Sequence, residues 1–410
     1  MAVNLFTPIV NSRTPAVNFF NGRLLSGEDL TTEHQSNRAA RALLGQAIGP
    51  GVVYGYQVTE SIASSSAQAP VLAITKGLAV NLNGGSLLLD TDTEVALTRP
   101  ATTTAATPTV FQACTPTQSG AYVAGAGAYL LAVGPASAAE GLAQVNGTNV
   151  STAPCNTDYQ AYGVQFRLVQ LDLSAVDLSD TKHLQNTIAY QCFGLTNWDA
   201  LLVGSFVAPA PPLGLVDRLR QSQLLTDCEI PIAVLYWTAD DGIVFVDTWS
   251  VRRRIAQPPA VSEWALFAGD RRTIEGESMF LQFQDQISQM ISAQSGLSTI
   301  SASQYFNYLP PVGILPLKGI TAADGFTYQS FFPPDTYNPP VFIPAARMEG
   351  VVRMAMTYRP INAANNEAVW LYQVVEGATV LPYLIFTSIF APFQGSAQFD
   401  LSNFDFSNFV

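Results

Sequence analysis

Lysine is almost missing from this chain: Lys76, Lys182 and Lys318 are the only three in 410 residues. Charged residues of both signs reach 12%, about half the usual share for soluble domains. Such a surface must be built from Ser, Thr, Asn, Gln, Gly and Ala, or be covered by neighbouring subunits, because depletion of charge and of lysine marks interface cores. Basic charge is also short overall. The net charge of −12 excludes a generic phosphate-binding surface, so no nucleic acid is expected as a partner. Local basic spots at Arg252-Arg253-Arg254 and Arg271-Arg272 lack interleaved aromatics or a glycine loop, and read as structural ion-pair positions.

Histidine is limited to His34 and His183, which leaves no histidine-rich metal site. His183 follows Ser179 and Asp180, imitating the residue types of a catalytic triad, but adjacency in sequence does not build a relay. No nucleophile elbow and no Walker loop is present. The loose glycine pattern from Gly120 to Gly127 lacks the strand-turn-helix context of a phosphate loop. The four cysteines, Cys114, Cys155, Cys192 and Cys228, sit 36 to 41 residues apart, and no pair has metal-ligand spacing. Met1 to Pro8 carries no basic or long apolar leader, giving an expectation of cytoplasmic synthesis without disulfides, although Cys114 and Cys155 lie in two loops able to meet. Long apolar runs are missing too: Leu381 to Phe393 is short and interrupted by Pro382 and Pro392, so no membrane insertion is expected. No cofactor is implied, and the chain reads as a non-enzyme.

Hydrophobic residues, by contrast, make up 48%, enough for more than one core, and a chain of this length is expected to form two or three domains. The fold class read from pattern is mainly β with a few helices (α+β), multi-domain and antiparallel. The expected divisions are 1–99, a turn-helix-strand unit with a small β region; 100–258, a β-rich domain with long Thr/Ala/Gly loops; 259–303, a helical connector; 304–393, a C-terminal β domain; and 394–410, a C-terminal arm.

Punctuation defines the first unit. Asn21-Gly22 is a turn pair, Ser26 with Asp29 imitates a capping box, and Gly49-Pro50-Gly51 stops the helix between them. From Thr31 to Arg41 that helix is polar nearly all round, which fits either a solvated connector or a subunit contact. On the second reading Arg38 and Arg41 are candidate assembly contacts. Val52 to Val58 reads as strand with a bulge at Gly55, and Asn83-Gly84-Gly85 as a hairpin turn. Asp90, Asp92 and Glu94 read onto one strand face; Val95 stands where a calcium loop of EF-hand type requires Gly, which favours a solvated face over a metal site.

From Pro100 to Asp158 the chain is of low complexity around one strand, Tyr129 to Pro135, and loops on a sheet scaffold are where surface recognition sits. Val164 to Leu173 alternates as a strand, while 182–193 and 214–225 read as short helices. Ile230 to Trp237 and Ile243 to Trp249 form a hairpin around Asp240-Asp241-Gly242. Beyond a boundary at Pro258-Pro259, Ile274 to Gln294 is the longest helical pattern. Phe280, Phe283, Ile287, Met290 and Ile291 make its apolar stripe, and glutamines including Gln282 and Gln286 fill the other face; it packs either on its own domain or on a neighbour. Val351 to Tyr358, Val369 to Val375 and Tyr383 to Phe390 read as strands, and dense prolines between 310 and 344 exclude central strands there. The last segment repeats a five-residue pattern, Asp400 to Phe404 and Asp405 to Phe409. Its Phe404, Phe406 and Phe409 are candidate assembly contacts, docking either on the chain's own C-terminal domain or on a neighbouring subunit.

Six stretches carry a resemblance. Phe19 to Leu30 (FFNGRLLSGEDL), Gly51 to Val58 (GVVYGYQV), Gly77 to Val80 (GLAV), Ile230 to Thr238 (IPIAVLYWT), Gly242 to Arg254 (GIVFVDTWSVRRR) and Leu309 to Leu317 (LPPVGILPL) resemble a family encoded beside contractile injection systems, phage-tail-like particles with sheath, tube and baseplate. The resemblance implies a structural component of such a particle, a baseplate extension or cage subunit. Its implied partners are further copies of itself and other baseplate, tube or sheath proteins. A carbohydrate-binding or carbohydrate-active tail-tip protein is the alternative, resting on the aromatic, β-rich makeup and the long loops.

Overall fold

The computed structural model describes residues 15–67, 69–97, 127–140, 159–174, 176–194, 214–238, 240–256, 271–293, 295–317 and 325–391. The low-complexity stretch around 127–140, the Pro258-Pro259 boundary, Cys114, Cys155 and the segment carrying Phe404, Phe406 and Phe409 lie outside them.

Helix α1 (Gly27–Ile48) leads into six short strands, β1 (Gly51–Tyr54), β2 (Val58–Glu60), β3 (Val71–Ile74), β4 (Gly77–Val80), β5 (Ser86–Leu89) and β6 (Thr93–Ala96). They form two three-stranded antiparallel sheets, ordered β1-β4-β5 and β2-β3-β6. The expected bulge at Gly55 is instead a change of sheet. Gly55 and Tyr56 both take positive φ, the chain leaves the first sheet there, and the irregularity of register falls at Val53. The ring of Tyr56 is fully buried, and its hydroxyl donates to the Leu87 carbonyl at 3.2 Å, which anchors the crossing.

The second layer is a four-stranded antiparallel sheet, β10-β9-β7-β8, from β7 (Gly127–Glu140), β8 (Tyr159–Gln170), β9 (Ile230–Thr238) and β10 (Gly242–Asp247). Alternation along β7 separates two cores. Tyr129, Leu131 and Val133 face the small sheets, meeting Leu72, Ile74 and Leu87. Ala128, Leu130 and Ala132 face helices α2 (Leu184–Phe193) and α3 (Leu215–Gln221), meeting Ile188 and Leu219. With both faces covered, β9 is buried almost end to end, as its unbroken apolar run IPIAVLYW requires. The turn before β10 is closed by Asp241, whose backbone N–H donates to Thr238 Oγ1 at 3.0 Å.

Helix α4 (Arg271–Ala293) opens the C-terminal half. After it come β11 (Tyr308–Leu309), β12 (Val312–Pro316), α5 (Tyr328–Phe331), β13 (Val341–Pro344), α6 (Met348–Ala355), β14 (Ile361–Asn362), β15 (Trp370–Glu376) and β16 (Thr379–Thr387). The main sheet is ordered β12-β16-β15-β13, with the β13-β15 pair parallel. The proline-rich β12 and β13 are its two edges, as a residue without an N–H dictates. Central β16 nevertheless carries Pro382, and the ladder to β15 is irregular beside it. Gln373 repairs the gap: its Nε2 donates to the carbonyls of Leu381 at 2.8 Å and Tyr383 at 3.2 Å.

Val351 to Tyr358 is not a strand. Its first part belongs to α6, where Val351 and Ala355, four residues apart, are the buried positions and Glu349 pairs with Arg353 at 2.8 Å. The valine pair suggested β structure, but β12 and β13 already occupy both sheet edges, and α6 covers the sheet's face with Ile343, Tyr372, Val374 and Ile385. The protein is mainly β with few helices, antiparallel for the most part and multi-domain.

Candidate functional site

Two places in this fold concentrate polar chemistry or unexplained exposure: a buried polar junction around Asp247, and the outer surface of α1.

At the junction, α2 and α4 bring the two halves of the chain together. Asn186 of α2 is fully buried; its Oδ1 accepts from the backbone N–H groups of Asn307 (2.9 Å) and Tyr308 (3.0 Å), and its Nδ2 donates to the Tyr308 carbonyl at 2.9 Å. Tyr190 stacks on Tyr308, and Met279 packs beside it. On α4, Phe283, Ile287 and Met290 enter the C-terminal core as their spacing requires, whereas Ile291 stays exposed. The opposite face departs from expectation. Gln282 and Gln286 are buried, not solvated, because the end of β10 lies over them. Gln282 Nε2 donates to Asp247 Oδ2 at 3.0 Å and to Gln286 Oε1 at 3.2 Å, while the Ser250 backbone N–H donates to Asp247 Oδ1 at 2.9 Å. Burial pushes the Asp247 carboxyl up to about 6 against these hydrogen bonds, and the nearby Asp285 adds to the rise.

The basic run beside this carboxylate is structural. Arg254 pairs with Glu277 of α4 at 2.6 Å. Arg252 lies over the Trp249 ring and Arg253 over Phe193, each 4.9 Å from the centroid. Arg253 also donates to the carbonyls of Trp249, Ser250 and Arg252.

His183 is held at both ring nitrogens, Nδ1 against Asp180 Oδ2 at 2.7 Å and Nε2 against the Ser303 carbonyl at 2.9 Å. Ser179 Oγ donates to Asp177, so Ser179, Asp180 and His183 form no relay. Cys192 is buried as a free thiol, pushed up to about 12 by desolvation. Cys228 is disulfide-bonded, contrary to the sequence expectation.

The carboxylates of 90–94 do not share a strand face. Asp90 and Asp92 precede β6, where Asp92 Oδ1 accepts from the Lys76 N–H at 2.8 Å, and Glu94 accepts from the hydroxyls of Ser61 (2.6 Å) and Ser64 (2.8 Å). Among the described residues no group of three His, Cys, Asp or Glu side chains is placed to hold a metal ion, and no helix is long and apolar enough to cross a membrane.

Helix α1 is the second place. Its start is a full capping box: Ser26 Oγ accepts from the Asp29 N–H at 3.1 Å, and Asp29 Oδ2 accepts from the Ser26 N–H at 3.0 Å. The Ser26 N–H bond, and a second that Ser26 Oγ donates to Asp29 Oδ2 at 3.0 Å, hold the Asp29 carboxyl below its ordinary value, with a further contribution from Arg23. Gly49, at φ 97°, ends the helix. Of the 22 residues between, only Gly45 is buried. It rests on the β4–β5 turn so closely that a Cβ at Gly45 would lie 2.1 Å from the Gly84 carbonyl oxygen.

The rest of α1 meets little else among the described residues. Leu30, Leu43, Leu44 and Ile48 are all more than half exposed, and Phe19, Phe20, Leu24 and Leu25 before the helix are exposed with them. Of the two arginines marked from sequence, Arg38 lies 4.7 Å over the Tyr162 ring of β8, a contact within the chain, and Arg41 is exposed. Leu43, Leu44 and Ile48 were the apolar residues sequence reading marked at the end of the helix; Leu30 was not joined to them because the polar stretch from Thr31 to Arg41 intervenes, although it shares a face with Leu44 and Ile48 at helical spacing. The Asp247 junction gave little local signal, since beside the nearby Ser250 N–H its Oδ2 donor, Gln282, comes from α4, thirty-five residues away.

No protein-family model matches the chain, and no curated protein matches it.

Proposed function

We propose that this chain is a non-catalytic structural subunit of a contractile injection particle, a baseplate-extension or cage-type component that works through contacts with further copies of itself and with other particle proteins. The observation that carries this reading is α1, a well-capped 22-residue helix with a single buried residue. Helices in folded domains gain most of their stability by packing an apolar face. One that leaves Leu30, Leu43, Leu44 and Ile48 in solvent is built to be covered by something else. The start of the helix, through Leu30, lies in the first stretch of the resemblance, and Gly51 to Val58 follows the helix directly. Scarcity of charge across the whole chain supports permanent contacts.

The test is to express a tagged full-length chain with the sheath, tube and baseplate proteins, isolate particles by gradient sedimentation, and quantify the chain per particle. A fixed stoichiometric band, placed by cryo-microscopy at one position, is the expected result. Particles that assemble, contract and never contain the chain overturn the proposal.

A further inference from the structure

We propose that α1 pairs antiparallel with α1 of a second copy of this chain, about a two-fold axis passing Asn37. This rests on the assembly reading above and names its first contact.

The argument starts from one stripe of the helix. At about 100° per residue, Leu30, Glu33, Asn37, Arg41 and Leu44 fall within an arc of about 80°. Leu30, Asn37, Arg41 and Leu44 are exposed, and Glu33 is half-buried. Their spacings are three, four, four and three residues, symmetric about Asn37. An antiparallel copy centred there sets Leu30 against Leu44, Glu33 against Arg41, and Asn37 against itself. Each apolar end meets an apolar end, and each carboxylate meets a guanidinium, twice, as an isologous contact demands. A parallel pairing would instead stack Glu33 on Glu33 and Arg41 on Arg41.

The partner carboxylate is already oriented. Glu33 Oε2 accepts from the Val17 N–H at 3.1 Å and Glu33 Oε1 from Asn37 Nδ2 at 3.0 Å, which fixes its rotamer along the stripe. The charge separation is wider than one pair. Glu28, Asp29 and Glu33 lie in the first half of α1, while Arg38 and Arg41 lie in the second, which has no acidic residue. The same symmetry brings Ile48 of one copy level with Ser26 of the other, beside exposed Leu25. A second copy is therefore complementary to this face in charge and in apolar placement along almost the whole helix, about 33 Å.

The experiment uses the full-length chain in sedimentation velocity over a concentration series, with cysteine cross-linking read on non-reducing gels against the unsubstituted chain. Asn37→Cys places two thiols at the axis and is expected to give a covalent dimer under mild oxidation. Glu28→Cys, whose copies would stand roughly 27 Å apart, is expected to give none above background. Arg41→Glu sets two like-charge contacts into the pair and should weaken the dimer about tenfold, and Glu33→Arg with Arg41→Glu should recover most of that loss. Because Glu33 also holds Val17, exposed Leu44→Asp serves as an independent variant, and it too should dissociate the dimer. A chain that stays monomeric at all concentrations and does not cross-link at position 37 overturns the pairing, whether or not it enters particles. So does a dimer indifferent to Arg41→Glu and Leu44→Asp, which would assign α1 to a different protein partner. A dimer with these sensitivities that never enters particles supports the pairing and overturns the particle reading instead.

Discussion

Replacing Asp247 with asparagine isolates the electrostatic cost of the carboxylate that α4 covers. The side chain is 5% exposed, and its carboxyl is pushed from the ordinary 3.8 to about 6, first by desolvation. A carboxyl raised on folding still holds its proton in the folded chain at pH values where the unfolded chain has released it. Stability from this group is therefore fully present below about pH 3.8, is lost as pH rises through about 6, and stays lost above that. At about 1.4 kcal/mol per tenfold change in proton affinity, the loss at neutral pH is about 3 kcal/mol. Asparagine keeps the shape and carries no charge. Its Oδ1 can still accept from the Ser250 N–H, and half-turns of the Gln282 and Gln286 amides together let Gln282 Oε1 accept from the new amide and from Gln286 Nε2. Asp247→Asn should thus gain stability over the wild type as pH rises from 4 to 7, by a midpoint shift on the order of 1 M urea. Trp249, two residues away, reports local unfolding by fluorescence. Every other titrating group is common to both proteins, so only the difference between them is read. A difference that stays constant from pH 4 to pH 8 refutes the reasoning, because the carboxylate would then be as easily ionised inside the fold as outside it.

Three further outcomes follow from the packing. Gly45→Ala puts a methyl group into the Gly84 carbonyl and should lift α1 from the body at a cost of about 1–3 kcal/mol, seen as faster amide exchange in α1 with β7 and β9 unchanged. Arg167 holds the buried Glu229 through bonds of 2.6 and 2.7 Å, and Arg167→Ala should cost about 3–5 kcal/mol in chemical denaturation at pH 7. Burial raises the Glu229 carboxyl, but Arg167 and Thr226 outweigh it and leave it below 4.5, so the stability it contributes is present at neutral pH and lost as pH falls below that value. Gln373→Ala strips the amide from the carbonyls of Leu381 and Tyr383 and should cost about 1–3 kcal/mol, with amide exchange quickening around β16 first.

Where local chemistry decides structure, the sequence was legible. The Ser26–Asp29 box and Gly49 bound α1, Asp241 and Gly242 close the β9–β10 turn, and prolines mark β12 and β13 as edges, each through groups within a few residues of one another. Legibility failed where a distant element chose between two local options. The valine pair at 351–352 suits strand or helix, and the occupied sheet edges leave only the helix. Gln282 and Gln286 read as a wet face until the end of β10 lies over them. On the candidate surface the polar helix was legible, with Arg38 and Arg41 on it; that Tyr162 of β8 lies under Arg38 was not, because it comes from more than a hundred residues away. A self-complementary stripe with polar residues at its centre has no continuous apolar signal to find.

The seam beside Gly51 has a mechanical consequence. Val52 and Arg254 form a parallel bridge, with the Val52 N–H donating to the Arg253 carbonyl at 2.9 Å and the Ala256 N–H to the Pro50 carbonyl at 3.4 Å. Helix α1 enters this seam from the N-terminal end of one segment, and α4 leaves beyond the C-terminal end of the other. The Ala256–Pro50 bond joins the end where the chain arrives from α1 to the end where it departs toward α4, so tension between the two helices reaches that bond first and the Val52–Arg253 bond after it. The Arg254–Glu277 pair then carries part of that tension directly into α4. A pull on α1 thus meets Pro50 and its bond to Ala256 before any strand of the sheets.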